Sequence, residues 1–209
     1  MQNTQNYFSD LDASITKIGV LFSGGIDSTV LLCLLQLQRK IKNFEITAFN
    51  IENTNLYEVN CRKIINLPFF SGIKFIEKVY NAEIFDGNIK TGIIEVLNKE
   101  DLDLVYIGIN KNPDITHPNK PVRRTKAELQ IAKKLCYPFI DLTKDEVLKL
   151  FYGIDELKNS NLLEHTHSCT SHTTRQCGEC FQCAERSWAF DKIGQIDPYF
   201  KRSHLLDDI

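Results

Sequence analysis

The chain has 209 residues, 43% of them apolar, which suits one folded domain with a small appendage and argues against intrinsic disorder. Its 25 basic and 27 acidic residues leave a net charge of -2, giving no support to a broad nucleic-acid footprint or a polybasic membrane patch. Met1 to Asp10 lacks the apolar stretch of a signal peptide, and runs such as Val30–Leu35 are too short to span a bilayer, so a soluble cytoplasmic protein with no membrane partner is expected.

In chain order, Lys17–Phe22 reads as a β-branched, apolar strand followed by a glycine turn. Ser28–Ile41 has apolar residues near helical spacing. Phe44–Asn50 reads as a second strand, and Leu56–Asn66 as a helix that stops before Pro68. Lys74–Tyr80 is a third strand, Ile89–Lys99 a helix, Leu104–Ile109 a fourth strand and Arg124–Leu135 a helix. Tyr137–Asp141 is expected to be a short fifth strand, and Lys144–Tyr152 a helix. Repeated strand–helix units predict an α/β fold: a doubly wound, parallel, five-stranded sheet over residues 1–158. Asn110–Arg123, with Pro113, Pro118 and Pro121, is a long loop of the kind that covers substrates. Residues 159–209 form a metal-binding segment and a C-terminal helix packed on the same domain. Asn159–Cys183 is too polar for a core and calls for a metal.

The segment Phe22-Ser23-Gly24-Gly25-Ile26-Asp27-Ser28-Thr29 lies where the first strand gives way to a helix. Paired glycines permit a sharp turn and close approach to a ligand. The helix N-terminus adds free amides and the positive end of its dipole, which suits phosphate or pyrophosphate. The Gly-Lys-Ser/Thr ending of a Walker A loop and the Gly-x-Gly-x-x-Gly pattern are both absent. A plain capped turn is the simpler alternative, but the full Ser-Gly-Gly-x-Asp-Ser pattern is far more specific, and it resembles the PP-loop ATP pyrophosphatases. That resemblance implies cleavage of ATP between its α and β phosphates. Ser23, Gly24, Gly25, Asp27 and Ser28 would hold pyrophosphate, with Phe22, Ile26 and Thr29 completing the nucleotide loop. Asp27, a carboxylate among phosphates, is better suited to Mg²⁺ than to phosphate itself.

Seven cysteines are present, and four of them follow Cys169-x7-Cys177-x2-Cys180-x2-Cys183. Four thiolates can enclose Zn²⁺ tetrahedrally, a closed shell typical of structural sites. An iron–sulfur cluster is the alternative. His165, His167 and His172 flank Cys169 and keep a Cys3His shell open, although Cys169 is preferred as the fourth ligand. Cys33 and Cys136 read as core packing.

Cys177-Gly178-Glu179-Cys180-Phe181-Gln182-Cys183-Ala184-Glu185-Arg186 with Ala189-Phe190, and Pro138-Phe139-Ile140-Asp141-Leu142-Thr143-Lys144-Asp145-Glu146, resemble segments of the 7-cyano-7-deazaguanine synthase (QueC) family. The resemblance implies an ATP-dependent carbon–nitrogen ligase that adenylates 7-carboxy-7-deazaguanine and uses ammonia to reach the nitrile. Ser23, Asp27 and Lys144 are then the candidate catalytic residues. Lys144 reads equally as the first residue of a helix capped by Thr143, with Glu146 in the capping box. The family's Tyr-Gly-Gln and Gly-Tyr-Pro-Asp-Cys-Arg segments are absent. Phe49-Asn50-Ile51 and Gly108-Ile109-Asn110-Lys111-Asn112-Pro113-Asp114 stand in their places. Other readings stay open: a relative joining an activated acid to a protein, a tRNA-modifying PP-loop enzyme, and an idle nucleotide-binding module. A homodimer or a protein partner is also open, with Trp188, Tyr199 and Phe200 as aromatics for such a contact.

Overall fold

The computed structural model describes residues 7–52, 58–79, 85–122, 133–172 and 175–199. Five parallel strands form its centre: β1 (Lys17–Leu21), β2 (Glu45–Glu52), β3 (Lys74–Val79), β4 (Leu104–Ile107) and β5 (Leu135–Cys136), in spatial order β3-β2-β1-β4-β5. The winding moves outward from β1 through β2 to β3, then returns to the other side of β1 for β4 and β5. The reversal falls between β1 and β4, so their C-terminal ends frame the ligand crevice expected of such sheets.

Alternation along the strands divides the core in two. Ile18, Val20, Ile46, Ala48, Tyr106 and Cys136 face a large apolar cluster. It also takes in α1 (Ile26–Arg39), α2 (Glu58–Ile65), α4 (Lys144–Tyr152) and α6 (Phe181–Lys192). Phe49, Val105, Ile107 and Leu135 face the opposite layer, where α3 (Phe85–Lys99) contributes Val96. The expected doubly wound α/β sheet is therefore present.

Element boundaries differ where local chemistry outweighs the apolar pattern. α1 begins at Ile26, two residues before the expected start, because Gly25 takes the extended N-cap conformation. The fifth strand is Leu135–Cys136, not the expected Tyr137–Asp141. Pro138 has no amide to give a ladder. Residues 137–142 turn instead, with Ile140 N donating to Tyr137 O at 3.3 Å and Leu142 N to Phe139 O at 2.9 Å. Phe139, completely buried, plugs the core from that turn. Residues 124–132 of the expected Arg124–Leu135 helix lie outside the described residues, and Leu135 itself opens β5. α4 spans Lys144–Tyr152 as expected, held by the Thr143–Glu146 capping box.

The polar stretch from Asn159 is more buried than its composition predicts. The short helix α5 (Asp155–Lys158) and a 3-10 turn (Leu162–His165) lead into it. Leu162 and Leu163 join the main core, and Thr166, His167 and Cys169 are buried beside them. Their polar atoms have partners, which makes burial tolerable: Thr166 Oγ1 donates to Leu163 O at 2.7 Å, and His167 Nε2 lies 2.7 Å from His172 O. Trp188 packs against the core of its own chain, and the Tyr199 ring lies against Arg186, 5.7 Å from its guanidinium carbon. Phe200 is outside the described residues.

Asp103, just before β4, accepts the amides of Thr16 and Lys17 at 2.7 and 2.9 Å and so aligns the start of β1. These bonds hold its carboxyl below the ordinary value. A lowered folded pKa contributes stability above the unfolded pKa and loses it on acidification. Asp103→Ala is expected to cost about 1 kcal/mol at neutral pH. The gap should close as pH falls below ~3.9. Urea denaturation across pH checks this; a gap constant with pH contradicts it.

Candidate functional site

The loop after β1 is fixed from below before any ligand is considered. Phe22 N donates to Phe49 O at 2.8 Å, and the buried Asn50 Nδ2 donates to Phe22 O at 3.0 Å. Gly24 follows with φ +73, a left-handed conformation that disfavours side chains. A Cβ there would also sit 3.1 Å from Cys61 Sγ. The first intrahelical bond of α1 runs from Thr29 N to Gly25 O at 3.0 Å, so the amides of Ile26, Asp27 and Ser28 belong to the unbonded first turn of the ladder. Ser23 Oγ and Ser28 Oγ lie 3.1 Å apart, and Ser28 Oγ donates to Gly25 O at 3.2 Å.

Above this loop is a cleft of about 320 Å³ at the reversal point of the sheet. Ser23, Gly25, Asp27 and Ser28 form its polar side, and Phe49, Ile51, Ile93, Ile107 and Ile109 are among its apolar walls. The β4 end approaches α1 closely because residue 108 is glycine: a Cβ there would meet the Asp27 carbonyl carbon at 3.0 Å. Of the expected nucleotide-loop residues, Phe22 lines the cleft. Ile26 and Thr29 are buried in the body of α1 and are not among the residues that line the cleft.

Asp27 is held by residues distant in sequence. Asn110 Nδ2 donates to its Oδ1 at 2.9 Å, and Lys144 Nζ lies 2.9 Å from its Oδ2. Lys144 also pairs with Glu185 Oε2 at 2.9 Å. The two readings of Lys144 prove compatible: it is the first residue of a capped helix, and its side chain is a buried cation between two carboxylates. Burial opposes its charge, but Asp27 and Glu185 outweigh that and raise its pKa above the ordinary value.

The four cysteine sulfurs converge, all within 4.8 Å of one another, with Cys177 Sγ and Cys183 Sγ 3.9 Å apart. All four are free thiols. Amides of Glu179 and Cys180 donate to Cys177 Sγ at 3.3 and 3.2 Å, and His172 N donates to Cys169 Sγ at 3.3 Å. The Cys180 amide helps hold the Cys177 thiol below its ordinary pKa. At Cys180, burial is outweighed by amides of Thr170 and Cys183, which bring the thiol to about 6, whereas burial pushes Cys183 up. The group could hold a metal ion, and Cys169 completes it as the fourth sulfur. His167 instead serves the glycine loop: its backbone N donates to Gly24 O at 3.0 Å.

Two further tethers could not be read along the chain, although Arg186 stands in the segment that resembles the family. Arg186, 1% exposed, makes a two-pronged pair with Asp197 at 2.6 and 2.7 Å and donates to Thr166 O and Oγ1 at 3.2 and 2.9 Å. The long loop after β4 is fastened to the cysteine segment through His117, whose Nε2 lies 3.0 Å from Glu179 O and whose ring meets Phe181 edge-on.

The model for the queuosine biosynthesis protein QueC matches residues 93–194, which include Asn110, Lys144, the four cysteines and Glu185. A 7-cyano-7-deazaguanine synthase of Methanocaldococcus jannaschii is 25% identical, over 87% of this chain and 97% of that protein. Over residues 93–194, just under half of its length, the chain is similar to the QueC family. A synthase of the same name from Methanococcus maripaludis strain C7 is also 25% identical, over 85% of this chain and 95% of its own length. Another from Persephonella marina is 38% identical over a shorter stretch, 31% of this chain and 26% of that protein. Among solved structures, the U34-tRNA thiolase NcsA from Methanococcus maripaludis, with its 4Fe-4S cluster, is 20% identical with a TM-score of 0.47, covering 93% of this chain and 72% of the thiolase. The glycine loop lies N-terminal to the span matched by the family model. Among the described residues, no helix is long and apolar enough to cross a membrane.

The Arg186–Asp197 pair sets a stability expectation for this chain. Asp197→Ala leaves a buried guanidinium without its carboxylate and should cost roughly 3–5 kcal/mol. Chemical denaturation measures it, and a loss under about 1 kcal/mol would show that the pair does not hold α6 in place.

Proposed function

We propose that this QueC-like protein uses ATP to activate a 7-deazapurine carboxylate and turns 7-carboxy-7-deazaguanine and ammonia into the 7-cyano product. The observation that carries the reading is the cleft at the sheet reversal, where Ser23, Gly25, Asp27 and Ser28 line one side and hydrocarbon lines the other. That division suits a nucleotide with phosphates on the loop.

A carboxylate oxygen is a poor leaving group, and adenylation corrects this. The acid oxygen attacks the α-phosphorus, the bond to the bridging oxygen breaks, and pyrophosphate leaves. Ammonia then adds to the acyl carbon, AMP departs and a proton is lost, giving the amide. The amide oxygen is adenylated by a second ATP. Loss of AMP and protons leaves the nitrile. Ser23 to Ser28 hold the departing pyrophosphate through hydroxyls and first-turn amides. Asp27 would hold Mg²⁺, with Asn110 and Lys144 fixing its carboxylate. Positioning and phosphate-charge stabilisation are the chain's main contributions.

Incubation with ATP, Mg²⁺, ammonium and 7-carboxy-7-deazaguanine should release AMP and pyrophosphate and yield the nitrile by mass spectrometry. Ser23→Ala with Asp27→Asn should lower the rate at least about a hundredfold. Turnover of ATP with the acid but without a nitrile or amide would favour the second reading, a relative with a different acceptor. That reading has its own observation: Phe49, Ile51 and Ile109, at the places where the family's segments are missing, line the cleft. No ATP binding at all would sink both.

For the cysteine group we propose Zn²⁺. A single tetrahedral ion with Zn–S near ~2.3 Å draws four sulfurs to within about 4 Å of one another. A cubane hangs each thiolate from a different iron and spreads them further. Elemental analysis should find zinc stoichiometric with the chain, and Cys180→Ser should deplete it and lower the melting temperature. A visible iron–sulfur absorption band would overturn the assignment.

A further inference from the structure

The loop after β4 is fastened at both ends, and the chemistry above uses only its base. There Ile109 lines the cleft, Asn110 Nδ2 donates to Asp27 Oδ1 at 2.9 Å, and Lys111 N donates to Leu142 O at 2.7 Å. At the tip, half-buried His117 lies against the cysteine segment. The residues between are knitted together. Asn112 Nδ2 donates to Pro121 O at 2.6 Å, and Lys120 Nζ donates to Pro113 O and Ile115 O at 2.8 and 3.2 Å. With Pro113, Pro118 and Pro121 fixing φ, such a cross-bonded loop moves as one body. His117 Nδ1 accepts the Asn119 amide at 3.1 Å, so Nε2 carries the proton and donates to Glu179 O at 3.0 Å. That carbonyl belongs to the same planar peptide unit as the Cys180 N–H, which donates to Cys177 Sγ at 3.2 Å. One rigid plane thus has a cysteine sulfur on its N–H edge and His117 on its C=O edge. The adjoining Gly178 has φ +78, and a Cβ there would meet no described atom within 4 Å, so the sulfurs hold this turn more than side-chain packing does. A metal that draws the sulfurs together fixes the plane, and the plane fixes the point to which the loop is tied.

We propose that His117 is a positioning residue linking the metal-binding turn to the nucleotide cleft: through Glu179 O it anchors the loop of residues 110–122, so that an occupied cysteine site holds Asn110 on Asp27. The inference rests on the nucleotide and metal readings above. His117 acts through the loop and touches neither nucleotide nor metal in this scheme. The coupled element is the loop itself, tied at the tip or free to pivot about its base.

The test is a double-mutant cycle on the full chain, His117→Ala against Cys180→Ser, with the calorimetric Kd for magnesium–ATP as its readout. Metal content and hydrogen exchange over residues 110–122 are recorded alongside. His117→Ala should keep its metal, exchange faster in the loop and bind ATP about fivefold more weakly. Cys180→Ser should weaken ATP about as much in the unaltered background, and less than about twofold when alanine already replaces His117, because the link is then already cut. His117→Gln, whose amide returns a donor, should bind ATP within about twofold of the unaltered chain. A loop contact that is merely structural gives additive losses, and additivity overturns the inference. An unchanged ATP affinity in His117→Ala, or glutamine no better than alanine, overturns it as well. If Cys180→Ser does not fold, the two metal-loaded His117 variants decide by loop exchange and Kd. Any of these overturning results in a chain that binds ATP and holds metal sinks this inference alone. An unaltered chain that binds ATP but holds no metal sinks the metal reading and this inference, and leaves the nucleotide reading standing. No ATP binding by the unaltered chain sinks the nucleotide reading, and this inference with it.

Discussion

One ammonium group, that of Lys144, is shared at 2.9 Å by Asp27 on the first helix and Glu185 on the last. Three charges taken from water are costly unless their geometry is good, and removing the ammonium takes away the counter-charge that both carboxylates share. The arrangement therefore constrains three helices at once. α1 must present Asp27 at its first turn, α4 must begin at Lys144, and α6 must bring Glu185 alongside. The glycine loop, the capping box and the cysteine segment each supply one of these conditions.

The backbone bond from His167 to Gly24 acts in parallel. It gives the positive-φ glycine carbonyl a partner and ties the polar C-terminal stretch to the loop that opens α1. Arg186 holds the same stretch from behind, bonded to Thr166 and Asp197. A segment with so few apolar residues is thus ordered by hydrogen bonds, one two-pronged ion pair and a convergent set of thiols. The metal-site and nucleotide-loop signals, far apart in sequence, are physically one structure.

Much of the sheet was legible along the chain because each strand and helix carries its own pattern. Lys17 starts β1, Leu104 starts β4, and α4 runs from Lys144 to Tyr152 as its capping residues require. The cysteines were legible because metal ligands cluster with short spacings. Tyr137–Asp141 misled because Phe139 and Ile140 are apolar for a different reason: they plug the core from a turn, where Pro138 cannot join a ladder. Asn159–Cys183 misled because composition reports polarity but does not show which polar atoms will find partners. The contacts of Asn110, Glu185 and Asp197 left no sequence signal, although Glu185 stands in the segment that resembles the family, since each is made with a residue outside its own local pattern.

Sequence alone determined the local chemistry: a loop of paired glycines at a strand–helix junction, a capped helix beginning at Lys144, and four sulfurs at metal-ligand spacing. These are short-range facts, decided by backbone freedom, capping and the reach of neighbouring side chains. Only the tertiary structure decided what those parts do to one another. It placed Gly108 against the first turn of α1, His167 on Gly24, and Lys144 between Asp27 and Glu185, because burial of the two core layers fixes the helices before their polar ends can choose partners. Electrostatic pairing across 117 residues of chain, from Asp27 to Lys144, follows from packing, and periodicity along the sequence carries no trace of it.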